Sequence, residues 1–422
     1  MQRGAVDTVE TRPAGSARRR RPWVTWVLAV AVVALVGGAG ILRQCTSDVT
    51  EHALIGTFFD LPSPLPVGVP GTVLRSERLL GAPDGSLAWR VLYHSTDLHG
   101  RDLVVSGIVV APTRPAPEGG WPVVSWAHPT TGAGVSCAPS RSVDPFLLVA
   151  GLHELLRAGY VVAATDYSGM GAEGPPSYLI GATEGHNVLD AARAARALPG
   201  AHAGRHLLLW GHSQGGQAVL FAAAQAGSYA PELQLHGVAA AAPAAELSRL
   251  LTDHSNDASG VTIGSYAFDA IMRVYGSSDP AVNLPALLTP VGVGVVPQIA
   301  PRCLLTDIKG LHRIAQPAVG HFYAVNPATT PPWASILGQN TPGATPLTVP
   351  VLITQGTADE LVLPATTSDF VTRLCAHRDH VTYRMYSHID HGLAGERTVP
   401  LLIPWLGHAL AGTPDAATCP AR

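Results

Sequence analysis

The chain has 422 residues, 47% hydrophobic and only 14% charged, which is enough apolar material for one large core plus an insertion and excludes a disordered chain. A net charge of -3, with basic residues scattered outside the N-terminus, gives no electrostatic case for a nucleic-acid partner. Lys309 is the single lysine among many arginines.

Residues 1–22 are polar and end in Arg18-Arg19-Arg20-Arg21-Pro22; Trp23 to Leu42 then give 20 residues without a charge, enough to span a bilayer's hydrocarbon core. Arginines before this stretch and few after it place the N-terminus in the cytoplasm and the chain beyond about residue 45 outside. Residues 1–44 therefore read as an Arg-rich stub plus a membrane segment, and the membrane is one expected partner. The segment is either a retained anchor or a signal peptide cut near Gly37-Gly38-Ala39-Gly40. Residues 45–72 are Pro-rich without sustained periodicity and read as a linker.

The first part of the core covers residues 73–243. Three apolar, β-branched runs (Val73 to Leu80, Leu87 to His94, Leu103 to Ala111) are separated by turn residues and predict antiparallel strands. The rhythm then becomes strand and helix in alternation: Pro122 to Ala127, Val143 to Ala158, Gly159 to Thr165, Thr183 to Leu198, Arg205 to Trp210, a helix after Ser213, and His236 to Ala242. That alternation predicts an α/β class, a mostly parallel central sheet with helices on both faces. It fails over residues 244–348, where Pro, Gly and apolar residues abound and only short helical pieces such as Tyr266 to Tyr275 are visible. About 100 residues between two sheet strands exceed a connection and predict an inserted cap or lid over the site. In residues 349–422 the rhythm resumes with a strand at Val349 to Gln355, a helix near Pro364 to Ala376, a strand at Val381 to Tyr386, and a last helix within Glu396 to Leu410.

The chemistry-bearing stretch is Arg205-His206-Leu207-Leu208-Leu209-Trp210-Gly211-His212-Ser213-Gln214-Gly215-Gly216, an apolar strand meeting Gly-x-Ser-x-Gly and then an Ala-rich helix. A serine hydroxyl is a poor nucleophile, so it needs a base to take its proton and donors to hold the oxyanion. A sharp strand-turn-helix elbow serves both needs. Gly211 and Gly215 remove side chains where the backbone turns, pushing Ser213 into the open in a strained conformation, with the Gln214 N–H beside it. A bare pentapeptide among 44 glycines would be weak, and the flanking strand and helix give it weight. An acid and then a histidine must follow in the chain. Asp359, just past the strand ending at Gln355, is preferred over its neighbour Glu360. His391, followed by Gly392, which would let its loop fold back over the elbow, is preferred over His388. The other 16 histidines read mostly as solvated or capping groups. A second oxyanion donor is expected from His128-Pro129-Thr130-Thr131-Gly132. Pro129 has no N–H, which leaves Thr130 first and Thr131 behind it.

Over roughly residues 75–412 the chain resembles the secretory lipases of the α/β-hydrolase fold, the group that includes fungal lipase A-type enzymes and many actinobacterial relatives. The resemblance rests on Trp126-Ala127-His128-Pro129-Thr130-Thr131-Gly132 with Cys137-Ala138-Pro139-Ser140, on Ala164-Thr165-Asp166-Tyr167-Ser168-Gly169-Met170-Gly171, on Val188-Leu189-Asp190-Ala191-Ala192-Arg193-Ala194, and on the elbow. It implies acyl-ester hydrolysis without metal or cofactor, and a lid after the sixth sheet strand. One departure is Pro129, where relatives commonly carry Gly. Five cysteines follow the basic N-terminus, in a compartment that permits disulfides. Four of them allow three pairings, with a fully reduced set as the alternative. The resemblance implies Cys137 with Cys303 and Cys375 with Cys419, leaving Cys45, whose Leu42-Arg43-Gln44 neighbours do not form a lipoprotein cleavage box.

These readings converge on an extracytoplasmic serine hydrolase acting on a small-molecule or lipid ester. Acyl transfer or peptide hydrolysis by the same three residues, and a membrane-anchored binding module that has lost chemistry, remain as alternatives.

Overall fold

Along the central strands, alternate residues bury opposite faces of one sheet. In the computed structural model, whose described residues are 57–419, this sheet has nine strands in the order β1-β2-β3-β5-β4-β6-β7-β8-β9. Strands β1 (Val73–Leu79), β2 (Ser86–Thr96) and β3 (Asp102–Pro112) form an antiparallel meander, and β3 pairs antiparallel with β5 (Val161–Thr165). All remaining neighbours are parallel: β4 (Trp121–Ala127) lies between β5 and β6 (Ala203–His212), followed by β7 (Gln234–Ala241), β8 (Val351–Gly356) and β9 (Val381–Tyr386). The mostly parallel α/β architecture read from the sequence is the architecture found.

Parallel strands buried on both faces have no polar side to spare, which is why they read as continuous apolar runs. Val123, Val161, Leu207, Leu209, Val238 and Ile353 face a core shared with helices α2 (Gly181–Ala197), α3 (Gln214–Tyr229) and α10 (Pro364–Ala376). Their neighbours Val124, Val162, Leu208, Trp210, Ala239 and Leu352 face α1 (Leu152–Ala158) and α11 (Ala394–Leu410). Trp126 and Trp210, paired in register on β4 and β6, contact each other on this second face with ring centroids 5.4 Å apart.

Between β7 and β8 the chain forms six helices: α4 (Leu247–Asp253), α5 (Ala258–Tyr275), α6 (Leu284–Leu287), α7 (Pro290–Ile299), α8 (Leu304–Ala315) and α9 (Trp333–Gln339). They enclose a separate apolar core around Tyr266, Phe268, Phe322 and Trp333, joined by Tyr178, Leu179 and Ile180 from the main body. Counted along this chain, the insertion follows the seventh strand.

Two helix expectations are corrected. Instead of a helix over Val143 to Ala158, only Leu152–Ala158 is helical, because Gly151 at φ 77° breaks the run and Asp144 Oδ1 accepts from the Phe146 N–H in a turn. The short piece at Tyr266 to Tyr275 is the end of an 18-residue helix. Gly260, Gly264 and the β-branched Val261, Thr262 and Ile263 lower its intrinsic propensity, but all are buried and packing overrides it. In the stretch read as linker, Phe58 and Phe59 are buried against each other, and Arg75 donates to both the Thr57 and Phe58 carbonyls.

The apolar run from Trp23 to Leu42, the arginine block and Cys45 lie outside the described residues. Among the described residues no helix is long and apolar enough to cross a membrane.

Candidate active site

The elbow forms where β6 ends beside β4 and β7. Ser213 has φ 58° and ψ -117°, a strained conformation for a non-glycine residue, and its N–H donates to Ala241 O at 2.9 Å. The close approach explains the two glycines. A β-carbon on Gly211 would lie 2.2 Å from Gly215 O, and one on Gly215 would lie 1.9 Å from Ala127 O. Ser213 occupies the N-cap of α3, a position where a serine side chain usually accepts from the first turn. Here it makes no cap hydrogen bond, so the hydroxyl is available for another partner.

That partner is His391, whose Nε2 lies 2.8 Å from Ser213 Oγ, while its Nδ1 lies 2.8 Å from Asp359 Oδ2. Asp359 is 2% exposed and its carboxylate is fully served: Oδ1 accepts from the Leu361 and Val362 N–H groups, and Oδ2 also accepts from Gln355 Nε2 at 3.0 Å. Burial pushes this carboxyl up, but the hydrogen bond and charge of His391, with the Val362 and Leu361 amides, outweigh it and leave it below the ordinary carboxylate value. An ionised acceptor at Nδ1 fixes the tautomer that presents the Nε2 lone pair to the serine.

Glu360 and His388, the competing residues, are both exposed, and neither Glu360 nor the His388 ring is bonded to Ser213 or His391. Gly392 is not what folds the histidine loop over, since a β-carbon there would meet only Asp390 Oδ1, at 3.7 Å. The close approach falls at Gly356, where a β-carbon would lie 2.1 Å from Ile389 O, and the Ala358 N–H donates to that same carbonyl.

The loop after β4 lies alongside. Thr130 lines the same cleft as Ser213 and Gln214, and its Oγ1 is 2.8 Å from Tyr178 OH. Thr131 turns away, its hydroxyl donating to Cys137 O and its carbonyl accepting from the Leu304 N–H. Disulfides join Cys137 to Cys303 and Cys375 to Cys419. The first ties this loop to the start of α8 in the inserted segment, and both fit an extracellular protein.

The cleft is narrow and nearly filled, with only about 10 Å³ of open volume. Its apolar wall is Leu179, Ala244, Leu250, Ile263, Leu361 and Val362, of which Leu250 and Ile263 come from the inserted helices. Ser213 is only 6% exposed beneath them.

Sequence reasoning missed three groups. His94, His128, His212 and His254 are buried rather than solvated, and His212 packs directly against His391. Gln355 was legible only as one polar residue in an apolar strand, the kind of group that needs a buried partner. Glu184, at 0% exposure, offered no motif at all.

The fold is the α/β-hydrolase fold. The sequence model of the secretory lipase family matches residues 144–308. A Mycobacterium tuberculosis protein named a "Probable inactive lipase" is 25% identical over 378 residues, covering 85% of this chain and 82% of its own length. Lipase A of Moesziomyces aphidis is 24% identical over 51% of this chain, which spans 48% of that lipase, less than two thirds of its length. Among solved structures, Candida antarctica lipase A in its closed state has a TM-score of 0.70 at 20% identity, covering 86% of this chain and 87% of that one. The rice cell wall degrading esterase LipA from Xanthomonas oryzae has a TM-score of 0.64 at 19% identity, over 82% of this chain and 100% of its own. The chain is thus similar to the secretory lipases over residues 144–308, and to lipases and esterases over most of its length.

Proposed function

We propose that this chain is an extracytoplasmic serine hydrolase of apolar acyl esters, with Ser213 as nucleophile, His391 as general base and acid, and Asp359 as the group that orients the imidazole. The supporting observation is the unbroken relay from Asp359 Oδ2 through His391 to Ser213 Oγ, each step 2.8 Å long. Ser213 Oγ attacks the ester carbonyl as its proton passes to Nε2, and the negative charge that develops is met by the backbone N–H groups of Gln214 and Thr130. The proton returns to the leaving alcohol, and water releases the acyl group from Ser213 by the same route in reverse. This reading requires neither a metal nor a cofactor. The apolar wall favours an acyl chain over a charged group, and the buried hydroxyl requires the cap to give way before substrate enters. Residues 23–42 would hold the protein at the membrane, or be removed on secretion.

Turnover of p-nitrophenyl esters of graded acyl length tests reaction class and pocket size together. Ser213→Ala should abolish it while leaving thermal unfolding almost unchanged, and retained turnover would place the nucleophile elsewhere. Product analysis with amide substrates and acceptor alcohols separates hydrolysis from peptidase or transferase action. A non-catalytic binding module is the second reading, motivated by the name of the mycobacterial relative. Complete absence of turnover and of fluorophosphonate labelling would favour it.

A further inference from the structure

Glu184 lies in the first turn of α2 and is 0% exposed, and its side-chain partner is Gln214, a neutral amide. Its Oε1 accepts from Gln214 Nε2 at 2.7 Å and from the Leu179 N–H at 3.1 Å. The other oxygen of each side chain, Glu184 Oε2 and Gln214 Oε1, is buried with no hydrogen-bond partner. Two orphaned acceptors on the same hydrogen-bonded pair are costly as they stand. An acid and a primary amide are complementary, since the amide N–H donates to one carboxyl oxygen and the acid O–H can donate to the amide oxygen, so a proton on Glu184 Oε2 directed at Gln214 Oε1 would satisfy both.

We propose that Glu184 is a neutral carboxylic acid that pairs with the Gln214 side chain and so positions the oxyanion end of the serine elbow, with its ionisation setting an alkaline limit on turnover. The proposal rests on the reading of Ser213 as nucleophile and the Gln214 N–H as oxyanion donor. Gln214 is the first residue of α3, and Leu179, held by the same carboxyl oxygen, forms part of the cleft wall. A single buried group thus secures both the elbow and the wall. It touches no substrate and is a positioning residue. Burial pushes the carboxyl up to about 8, against the opposing hydrogen bonds from Gln214 and Leu179. The titratable groups facing it are Tyr167, from the loop after β5, and Tyr178, from the segment leading into α2. Burial pushes both phenols up, so both are neutral over the same range. Ionised, Glu184 would repel the Gln214 amide oxygen and set a negative charge behind the donor that must meet another.

The test compares pH profiles of kcat/KM for the wild-type chain and Glu184→Gln, whose amide can form the same two hydrogen bonds but cannot ionise. With a group titrating at about 8, wild-type activity should fall about tenfold between about pH 7 and about pH 9, and Glu184→Gln should lack that limb. Glu184→Met, also unable to ionise, serves if the amide variant does not fold. An identical alkaline limb in wild type and variant would overturn the proposal. Infrared difference spectra give an independent readout: a protonated buried carboxyl near neutral pH that disappears on alkaline titration and is missing from the variant. Its absence near neutral pH overturns the proposal even if turnover is normal. If the chain has no turnover, the hydrolase reading fails, and the infrared band still decides whether Glu184 is the neutral acid.

Discussion

The imidazole of His212 packs against that of His391, with centroids 5.0 Å apart and planes inclined by 39°. His212 occupies the variable position between Gly211 and Ser213, so the elbow that carries Ser213 also floors the His391 ring. Burial, and then the positive charge of His391, push His212 down to about 3, which keeps it neutral wherever the enzyme would work. A neutral ring supports His391 without opposing the imidazolium that the proposed mechanism forms. A fixed cation there would cost about 3 kcal/mol at an effective dielectric of about 20, or roughly a hundredfold in rate. Steady-state kinetics should therefore show His212→Lys at least about a hundredfold down in kcat, with His212→Phe much closer to wild type.

Gly215 admits no side chain. A β-carbon would lie 1.9 Å from Ala127 O and 2.4 Å from Ala127 C, both backbone atoms that cannot rotate away. Gly215→Ala must push α3 off β4, separating the Gln214 N–H from the Thr130 loop. Denaturant unfolding should show a loss of about 1–3 kcal/mol, as for other overpacked sites. Activity should fall further than that stability loss explains, because the shift lies between the two proposed oxyanion donors. An unaffected kcat would show that this spacing does not matter to the chemistry.

The Cys137–Cys303 disulfide closes a separation of 166 residues and joins the loop after β4 to the inserted helices; Cys375–Cys419 closes 44 residues at the C-terminal end. Loop-closure entropy puts each at roughly 2–5 kcal/mol. Cys137→Ser with Cys303→Ser should lower both the melting temperature and ester turnover. Cys375→Ser with Cys419→Ser should lower the melting temperature and leave turnover of the folded protein nearly unchanged. Equal kinetic effects of the two pairs would contradict the first bridge's role at the site.

Asp359 has a folded-state value below that of an unfolded carboxyl, so its contribution to stability is present above the unfolded value and is lost as pH falls through the folded one. Acid unfolding of Asp359→Asn should be correspondingly less steep below about pH 4. The amide leaves the geometry but reverses the tautomer preference at Nδ1, and kcat should drop by about three to four orders of magnitude.

Much of this site could be read from local sequence, because its main parts obey local rules. Gly-x-Ser-x-Gly between an apolar run and an Ala-rich helix identifies Ser213, and the end of an apolar strand identifies Asp359. The sequence favours His391 over His388 through Gly392, whereas the tight contact in the fold lies at Gly356 against Ile389, a residue pair distant in sequence. Glu184, Gln355 and His212 have no periodicity or motif of their own, and their importance arises only from partners that folding delivers. The cap was legible as an interruption and not as helices, because α5 combines low-propensity Gly260, Gly264 and Val261 with deep burial. A sequence pattern records propensity directly and burial only where it repeats.

Peptide mass spectrometry of the full chain after exposure to a fluorophosphonate tests the central claim most directly, since such a reagent is taken up only by a serine whose proton has somewhere to go. The expected result is a single covalent adduct on Ser213, absent from Ser213→Ala and strongly reduced in His391→Ala but not in His388→Ala. An unlabelled Ser213 in the folded wild-type protein, or an adduct on a different serine, would contradict the account.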